Sequence, residues 1–382
     1  MAALYSLIQQ SSYIRTVSAT VLGYFQSGKL MPSLTAVKVG LPVRKAKKGD
    51  LSWVPGICIG NYINSNIPAV IDLEEVRRKH MAVLGTTGSG KSYFTKRFVE
   101  RALERLSTVY ILDPHGEYSN LNTDVYRVEL ENTLFFVDPD KLIDMLAGYG
   151  ASVKGSSTIA KENKVKLTRW VHSLLAGSLE ESLQDILDKI AKECVPFLSE
   201  EYGERALSNQ EDILRKIEES LTCNGAVVFD FRKVDDPVIR CELAGYILRR
   251  LFIQAKKNED MNSMVVLEEA HNFAPEKGYG DVSAGKENLA KTYSLKIASE
   301  GRKFGLGIIA VSQRPAQVSK ALLSQANTQV LFRMVNKSDI DAVENAIETV
   351  SRDVVTKLPD LRTGYAFVTG VGVQFPALVE IQ

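Results

Sequence analysis

The sequence predicts an α/β fold around a nucleoside-triphosphate site, on three observations. A Gly-x-x-x-x-Gly-Lys-Ser run at residues 85–92 lies between an apolar strand-like stretch and a helix-periodic one. From Arg77 onward, apolar runs alternate with amphipathic helical segments, except in one long all-helical interval. One of those runs, residues 264–267, ends in two acids, Glu268 and Glu269.

The first observation carries the chemistry. Met81, Ala82, Val83 and Leu84 read as a buried strand, and Phe94, Phe98 and Val99 share one helical stripe. Between them, Gly85, Gly88 and Gly90 let the backbone N–H groups of Thr86, Thr87 and Ser89 close around phosphates at a helix N-terminus. Lys91 can reach the β- and γ-phosphates, and the Ser92 hydroxyl can ligate Mg²⁺. Tyr93 follows directly and completes the candidate nucleotide contacts.

Composition sets the frame. The 382 residues are 45% hydrophobic and 24% charged, as in an ordinary globular protein of one to three domains. A net charge of +1 leaves no global electrostatic signature of nucleic-acid binding, so such binding must come from local patches. Four cysteines and four histidines are scattered without metal-ligand spacing. No apolar stretch approaches the roughly 18 residues of a membrane span, and the first residues lack the pattern of a signal peptide. A cytoplasmic protein with reduced thiols is expected.

In chain order, residues 1–75 hold short β-prone runs separated by Gly, Pro, Asn and Ser, which predicts a small N-terminal β-barrel or sandwich. The basic cluster Arg44, Lys45, Lys47 and Lys48 is either a solvated hairpin tip or a contact for nucleic acid or a partner. Residues 76–138 form the first part of the α/β core. There the strand at 108–112 ends in Asp113-Pro114-His115-Gly116-Glu117-Tyr118. Asp113 stands where α/β folds place ligands, yet Asp-Pro and His-Gly also form turns; both roles are open. A further short strand is expected at 134–137.

Residues 139–222 carry helical stripes, the last being Ile213, Leu214, Ile217 and Leu221. They predict an inserted helical bundle with its own core. The core resumes over 223–382, with a strand at 226–231 and a helix at 237–257. The acidic pair follows: Glu268 is expected to hold Mg²⁺ through water, and Glu269 to polarise the attacking water. The Gly/Lys-rich stretch 275–291 is either a mobile surface loop or a phosphate-contacting pore loop. The strand at 308–311 ends in Ser312-Gln313-Arg314-Pro315, where Gln313 can sense a γ-phosphate; Arg302, just before that strand, is a candidate arginine finger for a neighbouring subunit. Residues 365–369 and 374–381 read as a closing β-hairpin.

The order Gly-Thr-Thr-Gly-Ser-Gly-Lys-Ser, Asp-Pro-His-Gly-Glu-Tyr, Leu-Glu-Glu-Ala-His-Asn-Phe, Glu-Gly-Arg-Lys-Phe-Gly, Ser-Gln-Arg-Pro resembles the HerA family of DNA-translocating ATPases, within the HerA–FtsK group. The resemblance runs from about residue 60 to residue 380. It implies a RecA-like P-loop core, an N-terminal β-barrel ending near residue 73, and an insertion accounting for 139–222. It implies ATP and Mg²⁺ as cofactors, a homo-hexameric ring with double-stranded DNA in its channel, and a nuclease partner. The implied catalytic set is Lys91, Glu269, Gln313 and Arg302, with Ser92 and Glu268 at the metal and Asp113 near the nucleotide. Lys79 stands where an arginine commonly precedes the histidine. A second expectation is a ring-shaped scaffold ATPase that assembles and activates an effector enzyme in an antiviral defence complex.

Overall fold

The computed structural model describes residues 24–26, 29–31, 56–131, 212–235, 237–258, 261–277, 288–347 and 352–382. The expected N-terminal barrel, the basic cluster at 44–48, the strand at 134–137, most of the helical insert and residues 278–287 lie outside the described residues.

A short antiparallel pair, β1 (Tyr24–Gln26) and β2 (Lys29–Met31), stands as its own two-stranded sheet. The core begins with β3 (Ile57–Tyr62) and β4 (Pro68–Ile71). Helix α1 (Leu73–Lys79) follows, capped by Asp72, whose carboxylate accepts the N–H groups of Glu74 and Glu75. Then come β5 (Met81–Leu84), α2 (Lys91–Ala102), β6 (Thr108–Asp113) and β7 (Val125–Glu131). After residue 211 the chain runs through α3 (212–220), β8 (Gly225–Lys233), α4 (Pro237–Lys257), β9 (Ser263–Leu267) and α5 (Leu289–Glu300). It closes with β10 (Leu306–Ser312), α6 (Lys320–Gln325), β11 (Thr328–Leu331), α7 (Lys337–Ala346), α8 (Arg352–Val355), β12 (Tyr365–Gly370) and β13 (Ala377–Ile381).

Eleven strands form one sheet in the order β4-β3-β13-β12-β11-β5-β10-β9-β6-β8-β7. From β11 to β7 every pairing is parallel, and from β11 to β4 every pairing is antiparallel. Strands β5, β6, β9, β10 and β11 are buried along their whole length, as expected of parallel strands covered on both faces. The hairpin expected near the C-terminus is β12–β13.

Two placements differ from the sequence reading. The stretch 57–71, expected to end a separate barrel, instead forms β3 and β4 of the core sheet, with β3 paired to β13 (Val379 opposite Tyr62). The stripe Ile213, Leu214, Ile217 and Leu221, expected to serve the insert's own core, is buried in the main core. Tyr110 donates its hydroxyl to the Leu221 carbonyl at 3.1 Å, and Tyr246 and Arg250 of α4 reach Glu218 at 2.9 and 2.6 Å. Amphipathicity shows that a face is covered but not by what. Among the described residues, no helix is long and apolar enough to cross a membrane.

Candidate nucleotide site

The carboxyl ends of β5, β10, β9 and β6, neighbours in that order, bring together the residues singled out in the sequence. This is the edge where parallel α/β sheets bind ligands. Strand β5 delivers the phosphate loop 85–92. A Cβ on Gly85 would lie 2.5 Å from Phe332 Cβ, and Gly90 adopts φ +115°, so neither position suits a larger residue. Helix α2 starts at Lys91, and no side chain caps its first turn, so its N-terminal N–H groups remain for an anion. Thr86 N–H donates to the Arg333 carbonyl, and Gly364 N–H donates to the Ser89 carbonyl at 3.1 Å, so loops following β11 and preceding β12 brace the phosphate loop.

Lys91 is 6% exposed and donates to the Thr86 carbonyl at 3.0 Å. Burial lowers its pKa below the ordinary lysine value, against the opposing charges of Glu269, Glu268 and Glu117. A buried ammonium with only a carbonyl partner suits a group that awaits phosphate oxygens. Ser92 is half-buried and Tyr93 is 53% exposed, both on the first turn of α2.

Strand β9 ends in the two acids, and their environments separate them. Glu268 is 1% exposed and accepts the Tyr118 hydroxyl at 2.6 Å; burial pushes its carboxyl up to about 8. Burial also works to raise Glu269, but hydrogen bonds from His271 and the Gln313 N–H, aided by the Lys91 charge, hold it below the usual carboxylate value. Glu269 therefore keeps the anionic form a general base needs. Its backbone sits at φ 49°, ψ 58°, a left-handed conformation that non-glycine residues adopt at a cost of about 1–3 kcal/mol and that recurs at functional sites.

Strand β10 supplies Gln313, whose side-chain oxygen accepts the Thr87 hydroxyl and whose N–H donates to Glu269 Oε2 at 3.2 Å. Gln313, the phosphate loop and the candidate base thus form one hydrogen-bonded chain. His271 extends it, with Nδ1 3.3 Å from Glu269 Oε2 and 3.2 Å from Ser312 Oγ.

Of the two roles open to Asp113, the geometry carries that of the turn. Asp113 is fully buried, and its carboxylate accepts the N–H groups of His115, Gly116, Glu117 and Tyr118 at 2.8–3.1 Å. Those bonds occupy both oxygens, so the expectation that Asp113 contacts the nucleotide gives way to one in which it shapes the loop carrying Glu117 and Tyr118. Tyr118 and His271 were not singled out by the sequence reading, although both lie inside quoted motifs. Tyr118 meets a partner 150 positions away, and His271 meets Ser312, 41 positions away, as well as Glu269 two residues before it.

Arg302 does not join this group. It lies on the turn Gly301–Phe304, exposed, before the amino end of β10, whereas Gln313 follows the carboxyl end. Seven strand residues separate the two by roughly 20 Å.

Comparison with known proteins agrees with this arrangement. The family model "Helicase HerA, central domain" matches residues 57–251, just over half of the chain. The chain is 28% identical to the DNA double-strand break repair helicase HerA of Pyrococcus furiosus, over 98% of this chain and 78% of that protein. It is 29% identical to the HerA of Sulfurisphaera tokodaii, over 93% of this chain and 75% of that one. Among solved structures, VirB4 of Thermoanaerobacter pseudethanolicus shares the fold, with a TM-score of 0.52, 14% identity and coverage of 86% of this chain and 96% of that one. An ATPase core with its phosphate loop, acidic pair and Gln313 on adjacent strand ends, matched over half its length by this family model, makes the chain a member of the HerA helicase family.

Proposed function

We propose that the chain is one subunit of a hexameric, ATP-driven motor that moves along double-stranded DNA and works with a nuclease partner. The observation that carries this reading is the position of Arg302, at the end of the sheet away from its own phosphate loop. An arginine so placed is too far from its own phosphate loop to serve it, so a nucleotide it met would belong to a neighbouring subunit. A ring supplies that neighbour at every site. The relatives named as DNA double-strand break repair helicases support DNA as the track.

In this reading, Lys91 and the loop N–H groups hold the triphosphate, Glu269 orients and deprotonates the attacking water, and Gln313 hydrogen-bonds the γ-phosphate. Arg302 of the neighbour offsets charge in the transition state. Ser92 and Glu268 would hold Mg²⁺, which supplies charge neutralisation on the β- and γ-phosphates. The donor set fits that ion. Ser92 and Glu268 offer the oxygen donors that Mg²⁺ takes, and such a cation usually completes its shell with water and substrate phosphates.

The test is ATP hydrolysis with and without duplex DNA across a salt series. Several-fold stimulation that falls as salt rises supports the motor. Hydrolysis indifferent to DNA but raised by an effector protein would replace it with the scaffold reading.

A further inference from the structure

Asp113 spends its carboxylate on the turn after β6, and the acid this turn presents is Glu117. Its N–H is one of the four that Asp113 holds, at 3.1 Å, so its backbone is fixed from behind. The far side of the turn is also held. Gly116, at φ +74°, packs against the Arg232 side chain, which pairs with buried Asp230 at 2.6 Å, while Arg127 bridges Asp230 and the Tyr118 carbonyl. Glu117 Oε2 is shielded from solvent and, among the described residues, meets no hydrogen-bond donor. The turn follows β6, which pairs with β9, and the adjacent Tyr118 reaches Glu268 at 2.6 Å, so Glu117 stands beside the acidic pair. Its charge also bears on Lys91 and Glu268. Leaving a shielded carboxylate oxygen unmatched is unfavourable, and a ligand bound there would remove that penalty.

We propose that Glu117 is a second carboxylate of the divalent-cation site, acting with Glu268 and Ser92, and that Asp113 is the positioning residue that presents it. The proposal rests on the reading of this site as one for Mg²⁺ and a nucleotide. From the sequence, Asp113 is expected at the nucleotide; the acid that this turn presents toward the site is Glu117. The chemistry is that of an outer-sphere ligand: a fixed carboxylate would accept hydrogen bonds from cation-bound water and so help to hold the cation at the phosphates.

The experiment measures Mn²⁺ binding to the full chain with ADP by electron paramagnetic resonance, and ADP binding separately in EDTA. Glu117→Gln and Glu117→Ala should each weaken Mn²⁺ binding by about tenfold or more, with ADP affinity in EDTA unchanged. Asp113→Asn should weaken Mn²⁺ binding in the same direction and also lower the melting temperature, because the turn loses its anchor. Glu117 variants with wild-type Mn²⁺ affinity would overturn the proposal. So would a matching loss of ADP affinity in EDTA, since that would make Glu117 a structural brace. Failure of the wild-type chain to bind Mn²⁺ with ADP would instead strike the nucleotide-site reading itself.

Discussion

Glu268 holds its proton up to about pH 8 because burial penalises the charged form more than the Tyr118 hydrogen bond favours it. The unfolded chain releases that proton near 4.5, so between roughly 4.5 and 8 the folded state binds more protons than the unfolded one. Stability contributed by this group is complete below 4.5 and is lost as pH rises through 8. Glu268→Gln has no proton to lose and can still accept the Tyr118 hydroxyl. In nucleotide-free melts it should stabilise the protein at pH 8 by roughly a few kcal/mol, with the gain vanishing toward pH 5. A gain independent of pH would show that desolvation of the charge is not its origin. Glu269 lies at the other extreme, its carboxylate held anionic and aimed by His271 and Gln313. His271→Ala should lower kcat by up to roughly a hundredfold while leaving KM near its wild-type value, because it misplaces the base without touching the triphosphate. Steady-state ATPase kinetics separate the two constants. Much of this site was legible in the sequence, since the phosphate loop and the acidic pair are local patterns with fixed chemistry. Tyr118 was not, because its role depends on strands that neighbour one another only in the folded sheet. Nor was His271, because its aim at Glu269 depends on the left-handed backbone of that residue.

At the scale of elements, two histidine hydrogen bonds tie the central strands to the helix ahead of them. His80 closes α1 at φ 64°; its Nδ1 accepts the Ile308 N–H at 3.1 Å and its Nε2–H donates to the Ala298 carbonyl at 2.8 Å. Burial lowers its pKa to about 4, so the ring stays neutral with its proton on Nε2. His80→Ala leaves a buried donor and a buried acceptor unmatched and should cost about 2–4 kcal/mol in denaturant unfolding. The register of these elements followed from apolar runs and turn residues, and helix α4 spans the predicted residues 237–257. What local pattern could not supply is the partner of each face. Helix α3 packs on α4 and β6 instead of closing a bundle of its own, and β3 pairs with a strand more than 300 positions away. Leu214→Ala should therefore destabilise the entire core by about 2–5 kcal/mol in a single transition. A separate early transition would return this helix to an independent insert.

At the scale of the molecule, the sheet is polar in its chemistry. Its carboxyl edge carries Lys91, Glu268, Glu269 and Gln313, while Lys79 and Arg302 sit at the amino ends of β5 and β10. Lys79 is drawn into an ion pair with Glu75 at 2.8 Å, which leaves exposed Arg302 as the better candidate for a neighbour's phosphates. The central claim is that each ATP site is shared between subunits. The most direct measurement is hydrolysis by mixed assemblies of Glu269→Gln and Arg302→Ala chains, each inactive when alone. A shared site predicts that mixing restores a fraction of wild-type turnover, because some interfaces then combine an intact Glu269 with an intact Arg302. Wild-type-like turnover by Arg302→Ala alone, or no recovery in mixtures shown to co-assemble, would contradict it.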